Sequence, residues 1–388
     1  MGRSSRSWKL CLINQIDICG DDGMLKPFDE VFEDRTKYGT KIKTDDYHAT
    51  GTHIIIDQGQ EQIAGYTDLE EGLFTEVPAI IFGDHTRIIK YVDRPFFLGA
   101  DGVKVLRCRY KDANYKYLYY ALKSVHIPNT GYNRHFKWLK EATIFYPDRK
   151  TQAKIVETLE KASVIIEKRQ QQLSALDDLI KARFVEMFGD PIANDKGWSI
   201  RPLLSMGSCK NGMNFHYDDS GVEINCLGVG DFKDYSIIAN TASLPTVSLN
   251  EMPSSEYLLR DDDIVFVRSN GNKKMVGRSV AVYPGTVPTT FSGFCIRYRR
   301  EDDSVITPYL LRVLKAESVR QKMYGRGANI QNLNQQTLSS LDIPVPPKSM
   351  QEQFATFVSQ IDKSKSVIQE SLDETQLLFD SLMQKYFG

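Results

Sequence analysis

Apolar residues recur at steps of three and four along two stretches of the chain. In the first, Ile155, Leu159, Ala162, Ile166, Leu173, Leu176, Ile180 and Met187 line one face, interrupted at Arg169-Gln170. In the second, Phe354, Phe357, Ile361, Ile368, Leu372, Leu378, Leu382 and Tyr386 do the same, with a polar centre at Ser364-Lys365. This period predicts amphipathic helices with coiled-coil-like seams. Gln152 to Phe188 is 37 residues, a rod of about 55 Å at the rise of an α-helix. Thr151 is the expected cap of the first helix and Gly189, followed by Pro191, its end; Ser349 with Glu352 reads as a capping box for the second. Helices this long outrun a small domain, so the two are expected to pack together as an intramolecular coiled coil.

The regions before each helix have a different pattern. Short β-branched or aromatic runs, Thr52–Ile56, Val77–Phe82, Asp263–Val267 and Ser279–Tyr283, are bounded by Gly, Pro, Asp and Asn and predict strands. Each region also holds a helix near its end, one capped by Asn114 and running to about Val125, the other from Thr307 to Met323 with Pro308 in its first turn.

These two halves are a repeat. Pro346 and Gln351 lie 199 residues after Pro147 and Gln152, and Phe387-Gly388 lies 199 residues after Phe188-Gly189. Earlier in each half, Trp198 follows Trp8 by 190 residues, and Tyr309-Leu310 follows Tyr117-Leu118 by 192. A drifting offset is what insertions in surface loops produce. The chain therefore reads as two copies of an α+β, strand-rich module, each followed by a long helix.

Composition narrows the function classes. Of 388 residues, 49 are Lys or Arg and 50 are Asp or Glu, a formal charge of −1, so a globally basic nucleic-acid coat is excluded and any DNA binding rests on local patches. Cys11, Cys19, Cys108, Cys209, Cys226 and Cys295 are scattered without a CxxC pair, which argues against a zinc ribbon or a disulfide framework and fits a reducing cytoplasm. Met1 to Lys9 is not read as a secretory signal, and the longest apolar run, Val77 to Phe82, is far short of a membrane span.

Catalytic spacings are missing from the sequence. There is no GxxxxGK[ST] phosphate loop, and Gly228-Val229-Gly230 lacks the continuation of a dinucleotide or adenosylmethionine site. The Asn/Asp-Pro-Pro-aromatic loop with which amino-methyltransferases act on a flipped base is absent, because Val345 precedes Pro346-Pro347 and Lys348 follows. Asp148 stands before a helix, where capping is its default role. The histidines His48, His53, His85, His126, His135 and His216 show no metal-ligand spacing.

Three polar loops suggest binding instead. Arg268–Arg278 holds Arg268, Asn270, Asn272, Lys273, Lys274 and Arg278 with no acid, a composition suited to phosphates and to the edges of guanine and adenine. Arg320–Asn334, with Arg326, Asn329 and Gln331, is likewise acid-free and amide-rich. Its positional partner in the first half is Asn129–Lys137, with Tyr132, Asn133, Arg134 and Lys137. Tyr132 and Phe136 either stack on a base or pack; packing is expected for Phe136.

The run Gly327-Ala328-Asn329-Ile330-Gln331-Asn332-Leu333, then Leu341-Asp342-Ile343-Pro344-Val345-Pro346-Pro347 and Gln351-Glu352-Gln353, resembles the specificity subunits of type I restriction-modification systems, the HsdS family. Ile144-Phe145-Tyr146-Pro147 and Gln152 form a weaker first copy, in which Asp148-Arg149-Lys150-Thr151 replaces the usual second proline and acidic residue and Thr130-Gly131-Tyr132 is a degenerate glycine loop. The resemblance covers essentially the whole chain. It implies a target-recognition domain over 1–148, a central spacer helix over 149–190, a second target-recognition domain over 191–347 and a C-terminal spacer helix over 348–388. It further implies antiparallel helices, a pseudo-twofold repeat, and one half of a split DNA target read by each domain, with helix length as the ruler. The implied partners are double-stranded DNA, two methyltransferase subunits and two restriction and translocating subunits. No cofactor is expected on this chain; S-adenosylmethionine, ATP and Mg2+ are expected on the partners. The alternative is a free-standing bivalent DNA-binding or regulatory protein, and a third reading is a coiled-coil scaffold with no DNA preference.

Overall fold

The computed structural model describes residues 23–99, 101–215, 220–232, 236–324 and 332–388. The chain divides into two compact units, one comprising the residues up to Gln170 together with Glu370–Gly388, the other Gln171–Gln369.

The first unit runs through β1 (Met24–Pro27), α1 (Phe28–Val31), β2 (Phe32–Asp34), β3 (His53–Ile56) and β4 (Gly65–Thr67). It continues through β5 (Ala79–Gly83), β6 (Ile89–Val92), β7 (Phe96–Leu98) and β8 (Val103–Cys108) to α2 (Tyr115–Ser124), α3 (Phe136–Lys140) and β9 (Thr143–Tyr146). The long helix α4 (Arg149–Phe188) follows. β1 pairs with β9, a four-stranded sheet has the order β2-β8-β5-β6, and β3 lies between antiparallel β4 and parallel β7.

The second unit repeats this plan with β10 (Ser199–Pro202), β11 (Gly207–Asn211), β12 (Val222–Leu227), β13 (Ile237–Ile238) and β14 (Thr246–Leu249). Next come β15 (Asp263–Val267), β16 (Ser279–Val282), β17 (Thr289–Phe291), β18 (Cys295–Arg300), α5 (Thr307–Lys315), α6 (Glu317–Tyr324), α7 (Gln335–Ser339), β19 (Asp342–Val345) and the long helix α8 (Lys348–Phe387). β10 pairs with β19, the main sheet is β11-β18-β15-β16-β13, and β12 lies between antiparallel β14 and parallel β17. Strand β13 and helix α6 are its additions to the shared plan.

Both central strands are buried along their whole length, because each sheet is covered on both faces. Successive side chains alternate between two cores, as a strand's period of two requires. Ile80 and Phe82 join the helix-side core while Ala79 and Ile81 join the core on the opposite face. Ile264 and Phe266 do the former in the second unit, Val265 and Val267 the latter.

The long helices close each helix-side core. In the first unit Ile155, Val156 and Leu159 at the start of α4 share it with Leu378, Phe379, Leu382, Met383 and Tyr386 at the end of α8. In the second, Ile180, Phe184 and Phe188 at the end of α4 share it with Phe354, Phe357, Val358 and Ile361 at the start of α8. The start of one helix meeting the end of the other makes the pair antiparallel, and the two pack together as expected. Along α4 the more buried positions through its middle are 162, 166, 169, 173, 176 and 180, the three-four alternation of a coiled-coil seam. Lys365 bridges Asp177 across the pair at 2.7 Å.

The repeated sequence marks have repeated structural jobs. Gln152, buried at the start of α4, donates from Nε2 to Pro147 O at 2.9 Å and accepts the Asn114 amide at 3.1 Å. Gln351 donates to Pro346 O at 2.9 Å and accepts the Ile306 amide at 2.9 Å. The proline-to-glutamine spacing thus ties each long helix to the start of α2 or α5. The Tyr117 hydroxyl donates to Phe145 O at 2.7 Å and that of Tyr309 to Pro344 O at 2.9 Å. Their rings meet the two Phe-Gly ends: Tyr117 lies 5.4 Å from Phe387 and Tyr309 4.8 Å from Phe188. Trp198 donates from its indole nitrogen to Phe188 O at 3.0 Å; Trp8 lies outside the described residues.

Some helix ends differ from expectation. The first long helix starts at Arg149, and Asp148, not Thr151, caps it by accepting the amides of Lys150 at 2.7 Å and Thr151 at 3.1 Å. The second starts at Lys348, which puts Ser349 inside the first turn instead of at a capping box. The helix expected over Thr307–Met323 breaks at Ala316 into α5 and α6. Asn114 caps α2 as expected, and Gly189, at φ 75°, ends α4.

Candidate nucleic-acid interface

In the second unit, β15 runs into the Arg268–Arg278 loop, which returns the chain to β16. Asn270 Oδ1 accepts the Asn272 amide at 2.8 Å, and Asn272 Oδ1 accepts the Lys274 amide at 3.1 Å, two Asx turns that fold the loop on itself. Gly277 sits at φ 74°, a conformation that favours glycine, with Met323 of α6 close by. Arg320, also on α6, donates from Nη2 to the carbonyls of Lys274 at 3.0 Å and Val276 at 3.2 Å. Helix α6 is thus a brace behind the loop. Lys273 and Lys274 are exposed at its tip, while Arg268 and Arg278 are half-buried at its base; Arg268 Nη1 donates to Gly293 O at 3.3 Å.

Arg326, Asn329 and Gln331 lie outside the described residues. The segment that follows them docks on the first loop. Asn332 forms a β-bridge with Ser269, and the Leu333 amide donates to Arg268 O at 2.7 Å. Asn334 then caps α7 by accepting the Thr337 amide at 2.7 Å.

The first unit builds the same junction from shorter parts. The turn between β5 and β6 is only Asp84–Ile88, closed by Gly83 N to Ile88 O at 2.8 Å and Arg87 N to Gly83 O at 2.7 Å. Buried Asp84 holds the amide-rich loop at three points. Its carbonyl accepts the His135 amide at 2.7 Å and faces His135 Nδ1 at 3.0 Å; its carboxylate accepts the Phe136 amide at 2.8 Å. His135 and Asp84 are 0% and 3% exposed, so this clamp is structural and needs no ligand. Above it Gly131, at φ 77°, lets the loop turn, and Asn133 donates from Nδ2 to Thr130 O at 2.5 Å. Tyr132 is 87% exposed and stacks on His85, with ring centroids 4.6 Å apart and planes 8° from parallel. Phe136 packs against Phe28 and Phe82, each at 6.0 Å, as expected.

Arg134 and Lys137 are exposed on the same loop, Lys137 with its ammonium 4.1 Å from the Trp138 ring. Lys41, 2.6 Å from Asp101, holds that carboxyl below the usual range, with a smaller contribution from Arg134.

The structure thus brings Arg268, Asn270, Asn272, Lys273, Lys274 and Arg278 into one loop, docked by the segment after the glycine loop. It brings Tyr132, Asn133, Arg134 and Lys137 into the corresponding place of the first unit. Sequence reading missed His85 and Asp84, and it placed Arg320 in the second polar loop, whereas the structure has it on α6 bracing the first. The repeat offered a signal for the first two, since Asp84 follows β5 as Arg268 follows β15. Among the described residues no cluster of His, Cys, Asp and Glu is arranged to hold a metal, and no helix is long and apolar enough to cross a membrane.

Residues 231–375 match the family model described as the type I restriction modification DNA specificity domain. The chain is 21% identical over 365 residues to the EcoR124I/EcoR124II specificity subunit of Escherichia coli, spanning 88% of this chain and 86% of that one. It is 26% identical over 204 residues to the StySPI specificity subunit of Salmonella potsdam, where the match spans 49% of this chain and only 42% of the relative. Its fold is similar to the crystal structure of a type I system S subunit from M. genitalium, with a TM-score of 0.55, 17% identity, and coverage of 96% of this chain and 98% of that one. The specificity-domain match and the near full-length E. coli relative bear out the resemblance of this chain to the HsdS family of type I restriction-modification specificity subunits.

Proposed function

We propose that this chain is the DNA-reading subunit of a type I restriction-modification complex, in which each unit contacts one half of a bipartite duplex target. Adenine methylation and restriction then belong to partner subunits, two methyltransferases and two translocating nucleases, which carry S-adenosylmethionine, ATP and Mg2+. The chain itself supplies recognition without catalysis, in the cytoplasm. The observation that carries this reading is the duplicated loop junction. His135 N to Asp84 O and Leu333 N to Arg268 O, both 2.7 Å, tie equivalent loops in the two units, and both junctions carry exposed basic side chains beside amide or aromatic groups. A shared core explains a repeated strand; it does not call for repeated basic loops at the ends of those strands.

Contacts to phosphate and contacts to base edges make different predictions. Replacing Lys273 and Lys274 by alanine weakens binding to every duplex and lowers the salt slope of log K by about 0.9 for each phosphate that is no longer neutralised. Arg326→Ala or Asn329→Ala relaxes one half-site, at a cost of about 1–3 kcal/mol against the correct bases, and leaves the other half-site intact. Competition binding with duplexes altered in one half-site at a time separates the two effects. A folded variant that loses both half-sites together contradicts the two-reader model.

A further inference from the structure

The first unit carries a basic groove where the second unit, among the described residues, carries a helix. The groove, of about 610 Å³, lies between the start of β6 and the chain leaving α2. Arg87, Lys123 and His126 line it together with Ser124 and Ile127, and among the described residues no carboxylate does. In the second unit the chain leaving α5 instead forms α6, whose Val319 and Met323 are buried in the core with Val276 and whose Arg320 braces the Lys274 and Val276 carbonyls.

Arg87 has the backbone of an uncommon residue. It closes the Asp84–Ile88 turn at φ 62°, in the left-handed region that favours glycine, yet the position holds an arginine. Its Nη1 donates to Ile127 O at 3.3 Å, which ties the guanidinium across the groove and uses one of its five N–H donors. On the other wall Lys123 is exposed, 5.3 Å from the Tyr119 ring. A helix C-terminus ordinarily repels anions. Here Val125 N at 3.2 Å and Ser124 Oγ at 2.8 Å occupy the Leu122 and Ala121 carbonyls, which blunts that effect.

We infer that this groove binds the phosphate backbone of duplex DNA, flanking the half-site that the first unit reads. The inference rests on the DNA-reading function proposed above. Arg87 stands two residues from His85, which stacks on Tyr132, so one short turn would present a reading tip on one side and a backbone clamp on the other. The second unit keeps its positive charge on the longer Arg268–Arg278 loop and fills the equivalent space with α6.

The test uses the full chain in complex with its methyltransferase partner and a labelled duplex carrying the motif that the complex methylates. The variant is Arg87→Gly with Lys123→Ala. Glycine favours the φ of position 87, so the turn is retained while the cation is removed. Lys123→Ala alone, at an exposed position, gives half the expected change and serves as the second variant. The expected result is a salt slope of log K lower by about 0.9 per removed cation, with the methylated motif unchanged. An unchanged slope against a salt-sensitive wild type overturns the groove and leaves the DNA-reading function standing. Loss of the methyltransferase from the purified complex assigns the groove to a protein partner and overturns the proposal, as does a changed motif. A wild-type complex that does not bind the duplex overturns both readings.

Discussion

Phe354→Ala is expected to lower the unfolding free energy by about 3–5 kcal/mol, the range for deleting a fully buried aromatic ring. Phe354 is 0% exposed. Its ring lies 5.6 Å from those of both Phe184 and Phe188, which in turn meet Tyr309 at 5.9 and 4.8 Å. Two segments of α4 and α8 and the helix α5 therefore converge on this side chain. These are rigid elements held by other contacts, so the vacated space cannot collapse cheaply. Urea unfolding of the full chain, followed by helical circular dichroism, measures the loss. A change below about 0.5 kcal/mol, the range of an ordinary surface substitution, contradicts the packing described for the second unit.

Gln351→Ala is expected to cost roughly 2–4 kcal/mol despite removing no large apolar group, because it strands buried backbone groups. The Gln351 amide is 0% exposed, donates to Pro346 O and Ser304 O at 2.9 Å each, and accepts the Ile306 amide at 2.9 Å. Alanine leaves two carbonyls and one N–H without that partner. Gln152→Ala breaks the matching contacts in the first unit, to Pro147 O and from Asn114 N, and is expected to cost somewhat less. The same urea titration applies to both. If either substitution is nearly neutral, the proline-to-glutamine spacing is not the tie between helix and module that the hydrogen bonds describe.

Much of this design is legible in the chain because the repeat preserves side chains that do a job. Proline, glutamine, tyrosine and Phe-Gly recur since each makes a specific contact at the junction of helix and module. The change of offset from 192 to 199 residues between Tyr117/Tyr309 and Pro147/Pro346 falls where the second unit inserts α6. Strands over Asp263–Val267 and Ser279–Val282 are legible because β-branched runs bounded by turn residues have few alternatives. The first long helix starts earlier than expected because Asp148 and Thr151 compete within a few residues and the earlier one caps it; the second starts at Lys348, directly after Pro346-Pro347. The break at Ala316 is hidden because the sequence on both sides favours helix. In the first unit the Asn129–Lys137 loop is legible as a polar loop, but its tie to the Asp84–Ile88 turn is not. The His135 amide to Asp84 carbonyl contact joins backbone to backbone and leaves no side-chain signature, and His85 and His135 look like scattered histidines until the turn and the loop are seen together. Arg326, Asn329 and Gln331 remain sequence-based assignments, since they lie outside the described residues.

The central claim is that this chain sets which adenines are methylated, with one half-site per unit. Its most direct test is to express the chain with its methyltransferase partner in a methylation-free host and map modified adenines across the genome. The account predicts a split motif with a fixed gap, lost when this chain is omitted. It predicts further that exchanging the first unit's Asp84–Ile88 and Asn129–Lys137 segments for those of a relative changes one half of the motif and leaves the other half alone. An active methyltransferase that leaves no fixed split motif, or the same motif with and without this chain, contradicts it.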